Sequence, residues 1–182
     1  MSKANDLVYR INDRDEIVYV NSVWDAFARA NNADGVIGTA VLHHTLWNYI
    51  TDKTTRALYH DVLKRIRDGR SVQFGFRCDS PDRRRFMDMQ VERSFGGLIE
   101  FRTRVLAEEP RAPVAALDPQ LKRSSELMRV CGWCSRVDAD GEWLEVEDAI
   151  VRLRLFERSE LPQMSHGICE ACYEKMMATL AP

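Results

Sequence analysis

The sequence predicts an α+β fold, in which an antiparallel sheet with several helices is followed by a small cysteine-rich segment. Three observations predict it. Residues 71–78, 85–93 and 98–106 alternate apolar and polar side chains, as strands do when one face of an antiparallel sheet meets water. Between residues 53 and 66 the apolar side chains recur every three or four positions, which indicates an amphipathic helix. Four of the five cysteines follow position 130, as two C-x-x-C pairs.

The elements ahead of these strands begin with two short strands and a polar turn between them. In chain order we expect strands over 6–11 and 16–21 and helices over 22–31, 46–50 and 53–68. Asn21 or Ser22 has the short polar side chain that caps a helix start. Asp52 does the same for the longest helix, and Gly69 ends it. With the three later strands, this order predicts a five-stranded sheet.

The segment after the last strand contains Pro110, Pro113 and Pro119 among alanines, which predicts a linker. Residues 120–130 have the apolar spacing of a short connector helix. The chain is therefore expected to divide into a sheet domain at 1–107, a linker with a connector helix at 108–130, and a cysteine-rich module at 131–182.

The residues around the second strand resemble the opening of PAS domains, which are sensory domains. The matching residues are Asp15-Glu16-Ile17-Val18-Tyr19-Val20-Asn21 followed by Trp24 and Phe27, with Ser80-Pro81 at a later hairpin and Gly96-Gly97 before the last strand. Together with the order of the elements, the resemblance covers about residues 6–107. It implies a five-stranded antiparallel sheet whose helices close over one face, that is, a PAS-like sensory domain.

The two cysteine pairs predict a metal site. In a C-x-x-C pair the two intervening residues form a tight knuckle that turns both sulfurs toward one ion. Cys131, Cys134, Cys169 and Cys172 then supply the four thiolates of a closed tetrahedral shell, which is typical of structural zinc. His166 is either a substitute ligand or a neighbour of the site, and we prefer the second because four thiols suffice.

This segment also resembles a cysteine-rich tail that follows PAS and receiver domains in bacterial signalling proteins. The matching residues are Cys131-Gly-Trp-Cys134, Arg136, Gly141-Glu-Trp143, the acidic stretch 145–150, and Ser165-His166-Gly167-Ile168-Cys169-Glu-Ala-Cys172. The tail commonly has Pro after its third cysteine, where this chain has Glu170, outside the ligand set. The resemblance implies a bacterial signalling context and no reaction. We expect the second pair to open a helix over 172–180, whose N-terminus favours thiolate charge.

The space between the sheet and its helices is either a filled core or a ligand pocket. We favour the core, since aromatic and methionine side chains usually fill interiors. The candidate lining residues are Trp24, Phe27, Trp47, Phe74, Phe76, Met87, Met89, Ile99 and Phe101. His43 and His44 are candidate axial ligands for haem, but adjacent histidines in a polar loop are usually surface residues. Cys134 precedes serine rather than histidine, so covalent haem is excluded, and neither haem nor flavin is a predicted cofactor.

The composition and the motifs of the sequence limit the functions that the protein can have. The net charge of −2 argues against a nucleic-acid partner held by bulk electrostatics. The sequence contains no phosphate-binding glycine loop, dinucleotide fingerprint, H-E-x-x-H or G-x-S-x-G motif. It contains neither an apolar run of about 18 residues nor a signal-peptide core, so we expect a cytoplasmic protein away from membranes. The prediction is a non-catalytic sensory or regulatory protein with a protein partner in a signalling pathway, with a homodimer as one arrangement.

Two rival functions stay open. A thiol redox sensor or oxidoreductase would use the C-x-x-C pairs, although the βαβ setting of thioredoxin-like sites is not predicted here. Nucleic-acid binding by the zinc module would use its arginines, whose charge neighbouring acidic residues oppose. A basic cluster at the third hairpin, Arg77 with Arg83, Arg84 and Arg85, is expected to be a solvated turn rather than a phosphate or acidic-partner site.

Overall fold

The computed structural model describes residues 5–181, which form two sheets and five α-helices. The strands are β1 (Leu7–Ile11), β2 (Ile17–Val20), β3 (Val72–Arg77), β4 (Arg83–Arg93), β5 (Ile99–Pro110), β6 (Arg123–Cys131), β7 (Val137–Ala139), β8 (Glu142–Leu144) and β9 (Leu161–Gly167). The helices are α1 (Ser22–Ala30), α2 (Gly38–Val41), α3 (Lys53–Arg67), α4 (Val146–Arg152) and α5 (Glu170–Thr179). The helix expected at 46–50 is a 3-10 turn at Leu46–Asn48. Within 5–181 no helix is long and apolar enough to cross a membrane.

The first sheet has the strand order β2-β1-β5-β4-β3, and every neighbouring pair is antiparallel. The predicted five-stranded antiparallel sheet is therefore confirmed. Along β4 the side chains of Met87, Met89 and Val91 are buried and alternate with more exposed residues, as the sequence pattern predicts. Residues 108–110, which the prolines assign to a linker, instead pair with 83–85 as the end of β5.

The helix ends follow the predicted caps. Asn21 caps α1, because its Oδ1 accepts the backbone N–H of Trp24 at 3.0 Å. Asp52 caps α3 by accepting the N–H of Thr55 at 2.8 Å. Gly69 follows α3 with a φ of +89°, in the left-handed region that a residue with a Cβ rarely adopts. Both caps and the stop are thus confirmed.

A large core lies between the first sheet and α3. The predicted stripe of α3 is buried there, namely Leu58, Val62, Leu63 and Ile66. The core continues into the C-terminal segment, since Trp133, Ile168 and Met176 belong to the same buried cluster. The cysteine-rich segment therefore packs on the core of the first sheet. The division of the chain into three parts stays a prediction.

The second sheet has the strand order β8-β7-β6-β9, and β6 pairs with β9 in parallel. The helix predicted over 120–130 is wrong, because most of these residues form β6. Met128 and Val130 are buried against β7 and α4 in a second, smaller core. Leu127, the residue before Met128, points away from this core and is 68% exposed. Burial of alternate side chains outweighs the helical spacing of the apolar residues.

Ion pairs join the turn between β3 and β4 to the C-terminal segment. Arg77 contacts the carboxylates of Asp79 at 2.5 Å and Glu145 at 2.8 Å, and Arg84 contacts Glu147 at 2.8 Å. The side chain of Asp79 is only 2% exposed. The prediction of a solvated turn is wrong for Arg77 and Arg84, because acidic side chains near and in α4 neutralise them. We call this group of ion pairs the junction network.

We expect a buried and an exposed leucine to respond differently to truncation. Leu63 is fully buried in the first core, so Leu63→Ala leaves a cavity and lowers the free energy of unfolding by about 2–5 kcal/mol. The matched variant Leu127→Ala removes the same atoms from an exposed site and changes it by about 0.5 kcal/mol or less. Urea unfolding followed by circular dichroism measures both, and equal losses would contradict the assignment of the core.

Candidate functional site

The parallel pairing of β6 and β9 brings the two cysteine pairs together. Cys131 is the last residue of β6 and lies opposite Gly167, the last residue of β9. Parallel strands end at the same edge of a sheet, so the chain leaves both strands at one place. Cys169 follows two residues later. Cys134 and Cys169, which are 35 positions apart in the sequence, thus become neighbours.

The first knuckle is a tight turn after β6. The N–H of Cys131 donates to the carbonyl of Arg136 at 2.8 Å, and the N–H of Ser135 donates back to the carbonyl of Cys131 at 2.9 Å. Ser135 has a φ of 57°, in the left-handed region that closes such a turn. The N–H of Gly132 donates to the carbonyl of Gly167 at 2.9 Å, which ties this knuckle to the second.

The second knuckle is the start of α5. Cys169 precedes the first residue of the helix, and its carbonyl accepts the N–H of Tyr173 at 2.9 Å. Cys172 lies in the first turn, where the partial positive charge of a helix N-terminus stabilises a thiolate. The helix predicted at 172–180 is therefore present, although it begins two residues earlier, at Glu170.

The four cysteine sulfurs converge on one point. Their Sγ atoms all lie within 4.8 Å of one another, and those of Cys134 and Cys169 are 3.8 Å apart. Four sulfurs at ~2.3 Å from a tetrahedral ion are ~3.8 Å apart, so the cluster has the size of a four-thiolate metal site. Cys131 and Cys169 are buried and the other two are half-buried. The cluster is compatible with zinc.

Electrostatics in the cluster favours one thiolate beside protonated thiols. A hydrogen bond from the Cys134 thiol, and others from backbone N–H groups including that of Cys169, lower the pKa of Cys131 to about 4. The same hydrogen bond raises the pKa of Cys134 above its ordinary value, and burial raises that of Cys172 to about 12. Further thiolates require a cation between the sulfurs, so a metal ion bound here displaces protons.

His166 lies beside this cluster rather than in it. It belongs to β9 opposite Val130, and its side chain lines the wall of a cavity beside Trp133. Partial burial lowers the pKa of the imidazole, while the negative charge of Cys131 opposes this shift. In residues 5–181, the ligand atoms that lie together are four sulfurs, without a nitrogen of His166.

Trp133, between the cysteines of the first knuckle, anchors the cluster to the first sheet. Its side chain is 8% exposed, and its ring centroid lies 6.1 Å from those of both Phe74 and Tyr59. Its carbonyl accepts the N–H of Arg77 at 2.8 Å, so the backbone of β3 holds the knuckle directly. This tryptophan therefore packs the first knuckle on the first sheet.

A cavity of about 490 Å³ lies between the first sheet and its helices. The aromatic pattern favours a filled core, whereas the structure contains this space. Five predicted lining residues face it, namely Trp24, Phe27, Phe76, Met87 and Met89. Phe74 lines a neighbouring cavity of about 340 Å³ beside Trp133, and Trp47 stacks on His60 at 3.9 Å. Ile99 and Phe101 are buried core residues outside both walls.

Polar residues of the cavity wall are not apparent from the sequence pattern alone. Tyr9, on the inward face of β1, and Tyr59, beside the buried stripe of α3, line the cavity together with Asp79 and Arg85. Cys78, the cysteine outside the metal cluster, also lines it, and burial raises the pKa of its thiol. The inward period of β1 is the signal that places Tyr9. Arg85 lies two residues before Met87 on the same face of β4, so the period of that strand places it as well, whereas Asp79 lies in the turn of the hairpin, where periodicity carries no information.

The two adjacent histidines lie away from this cavity. His43 has a φ of 67° and an exposed side chain, and His44 is exposed with its Nδ1 3.2 Å from the hydroxyl of Tyr49. Neither residue lines the cavity wall.

Comparison with known proteins identifies no family for this chain. No family model matches the chain, and no curated protein matches it. A solved domain of an HTR-like protein from Haloarcula marismortui ATCC 43049 is similar at 12% identity and a TM-score of 0.36, over 57% of this chain and 100% of that one. At this score the similarity supports no argument about function.

We expect the four clustered cysteines, and not the fifth, to hold a metal ion. Cys134→Ser removes one sulfur from the cluster, so the metal content falls from about one ion per chain to well below half. Cys78→Ser is the matched control, because Cys78 lies outside the cluster, and it keeps the metal. Elemental analysis of the purified variants measures this. Equal metal content in the two variants would contradict the site.

Proposed function

We propose that this chain is a non-catalytic sensory protein of bacterial signalling, in which a PAS-like domain binds a small molecule and a structural zinc module passes the event to a protein partner. The observation that carries the proposal is the cavity between the first sheet and its helices, since one of its wall residues belongs to the junction network. Asp79 is both a wall residue and a partner of Arg77, and Arg77 holds Glu145 of the C-terminal segment.

The PAS-like assignment is supported by the place of Asn21 in the fold. The resemblance rests on a strand that ends in Asn and runs into a helix. Here the Oδ1 of Asn21 accepts the N–H of Val8 at 3.1 Å in addition to that of Trp24, and its Nδ2 donates to the carbonyl of Asp6 at 2.8 Å. One side chain thus joins β1 to α1. The asparagine has a structural reason to stand at the end of this strand.

The assignment of zinc is supported by the donor set. Four thiolates in a shell of this size suit Zn²⁺ or iron, and four protein ligands leave no position for a substrate. A bound ion would cross-link the end of β6 to the start of α5. The residues around it hold the two knuckles in place, since Gly132 bonds Gly167 across them and Trp133 fixes them to the first sheet.

Three contacts give the cavity a route to the metal centre. The first is the junction network through Asp79 and Arg77. The second is Tyr59, which lines the cavity and packs against Trp133 of the first knuckle. The third is the segment between β5 and β6, because Leu117 and Pro119 line the cavity and the chain continues from them into β6 and Cys131. A ligand that moves these walls would shift the knuckles.

Of the rival functions, the redox one keeps a specific observation in its favour. Cys131 and Cys134 are free cysteines whose sulfurs lie within 4.8 Å of each other, the kind of close pair that thiol exchange uses. Nucleic-acid binding has no such support, because the arginines of the C-terminal segment contact acidic side chains or carbonyl oxygens. They are Arg123, Arg129, Arg136, Arg152, Arg154 and Arg158. A cytoplasmic location and a protein partner remain part of the proposal.

The experiment measures metal transfer with the cavity filled. The purified full chain is mixed with a chromophoric chelator, with and without 2-isopropylnaphthalene as a cavity probe. We expect the probe to change the transfer rate about fivefold or more, the size of a typical coupling between sites. Glu145→Gln breaks the ion pair with Arg77 and should reduce this change, whereas Glu157→Gln, in an exposed pair with Arg154, should leave it intact.

The outcomes separate the rivals. Binding of the probe without any change in metal transfer would contradict the sensory mechanism and leave a metal-stabilised binding domain. Protein that purifies without metal and with a reversible disulfide between Cys131 and Cys134 would favour the redox function instead.

A further inference from the structure

Two tyrosine hydroxyls in the cavity wall lack a protein partner. Tyr9 of β1 and Tyr59 of α3 both line the 490 Å³ cavity, and Tyr9 is 8% exposed. Among residues 5–181, neither hydroxyl has a hydrogen-bond partner, although Tyr9 stacks on Phe101 at 4.4 Å and meets Trp24 edge-on at 5.4 Å. Packing thus fixes the ring of Tyr9, while the two hydroxyls are free to bond to a molecule in the cavity.

Burial keeps both hydroxyls neutral. Desolvation raises the pKa of Tyr59 to about 12, and desolvation followed by repulsion from Tyr59 raises the pKa of Tyr9 well above its ordinary value. At neutral pH each side chain therefore presents an O–H group that can donate a hydrogen bond. Neither oxygen is among the fully buried unpartnered atoms of the described residues, and both residues line the cavity, so a group there that accepts from the hydroxyls gains in binding.

The charged residues of the wall are already neutralised by the protein. Asp79 is paired with Arg77 at 2.5 Å and Arg111 at 3.4 Å, and Arg85 is paired with Glu108 at 2.8 Å. A charged ligand would therefore enter an apolar space without an unpaired counter-charge, which is strongly unfavourable. The remaining wall is mostly apolar, and its aromatic and methionine side chains, which include Trp24, Phe27, Phe76, Met87 and Met89, suit a flat apolar body. The volume lies in the range of small-molecule sites.

We infer that the cavity binds an uncharged aromatic molecule with a carbonyl oxygen, which accepts hydrogen bonds from Tyr9 and Tyr59 while its ring system packs against the apolar wall. This inference rests on the proposed sensory function and names the class of its ligand. It also explains why two polar side chains occupy inward positions of the first core, where phenylalanine would pack as well and leave no unpaired donor.

Three probes of similar shape test the inference by calorimetry with the full chain. They are the ketone 2-acetylnaphthalene, the hydrocarbon 2-isopropylnaphthalene and the anion 2-naphthoate. We expect the ketone to bind about tenfold more tightly than the hydrocarbon, as two net hydrogen bonds allow. We expect the anion to bind more weakly than either.

Conservative variants identify the donors. In the double variant Tyr9→Phe with Tyr59→Phe, the preference for the ketone over the hydrocarbon should disappear while the hydrocarbon keeps its affinity. That retained affinity also shows that the variant is folded. Tyr19→Phe is the matched control, because Tyr19 is 39% exposed and lies outside the wall, and it should keep the preference.

The failures are distinguishable. Equal affinity for ketone and hydrocarbon in the wild type would overturn the carbonyl inference and leave cavity binding intact. Tighter binding of the anion would overturn the requirement for an uncharged ligand. A preference for the ketone that survives in the double variant would overturn the role of the two tyrosines. If none of the three probes binds, both this ligand class and the proposed use of the cavity fail together.

Discussion

The parallel pairing of β6 with β9 is the contact on which the C-terminal part of the structure depends. It places Cys131 opposite Gly167, so both knuckles leave the second sheet at the same edge. A parallel pair cannot be joined by a short turn, and here the connection carries β7, β8 and α4. These elements form the second core on Met128 and Val130. The metal site, the second core and the position of α5 all follow from this one pairing.

The junction between the two sheets combines an apolar contact with a buried ion pair. Trp133 enters the first core, and nearby Asp79 is almost fully buried between Arg77 and Arg111. Burial alone would lower the pKa of Arg77, but its hydrogen bonds to Asp79 and Glu145 outweigh this and raise it. Burying charges gains little net stability, since desolvation offsets attraction. Their geometric demands, however, fix how the C-terminal segment is oriented on the hairpin.

Some features of this fold follow from local rules and others do not. The stripe of α3, its Asp52 cap and the alternation of Met87, Met89 and Val91 are local, and the sequence predicts them correctly. The spacing of the cysteines predicts their convergence because a knuckle needs only four residues. β6 was missed because Leu127 and Met128 suit either period, and only the partners of Met128 in the second core decide between them.

The cavity and the junction network depend on contacts between distant segments. Arg77 and Glu145 are 68 residues apart, and nothing in either neighbourhood indicates the other. An apolar pattern shows which side chains face inward, but it does not show whether they meet. Here the inward side chains surround a space of about 490 Å³, to whose wall distant segments contribute, among them Tyr9, Arg85, Leu117 and Pro119. The size of such a cavity depends on how side chains from distant segments pack together, and a pattern along the sequence does not show this.

An unfilled core of this size needs support from elsewhere in the molecule. Cavities reduce the free energy of unfolding because their walls lose van der Waals contacts. The walls of this one are braced on the side of the C-terminal segment, by Trp133 behind Tyr59 and by the ion pairs behind Asp79. A metal ion between the four sulfurs would hold that brace in place, since both knuckles contact the first sheet. On this view a bound metal ion stabilises the cavity walls, and a ligand in the cavity makes the stability of these walls less dependent on the metal ion. The two sites would then be coupled by the stability of the fold itself.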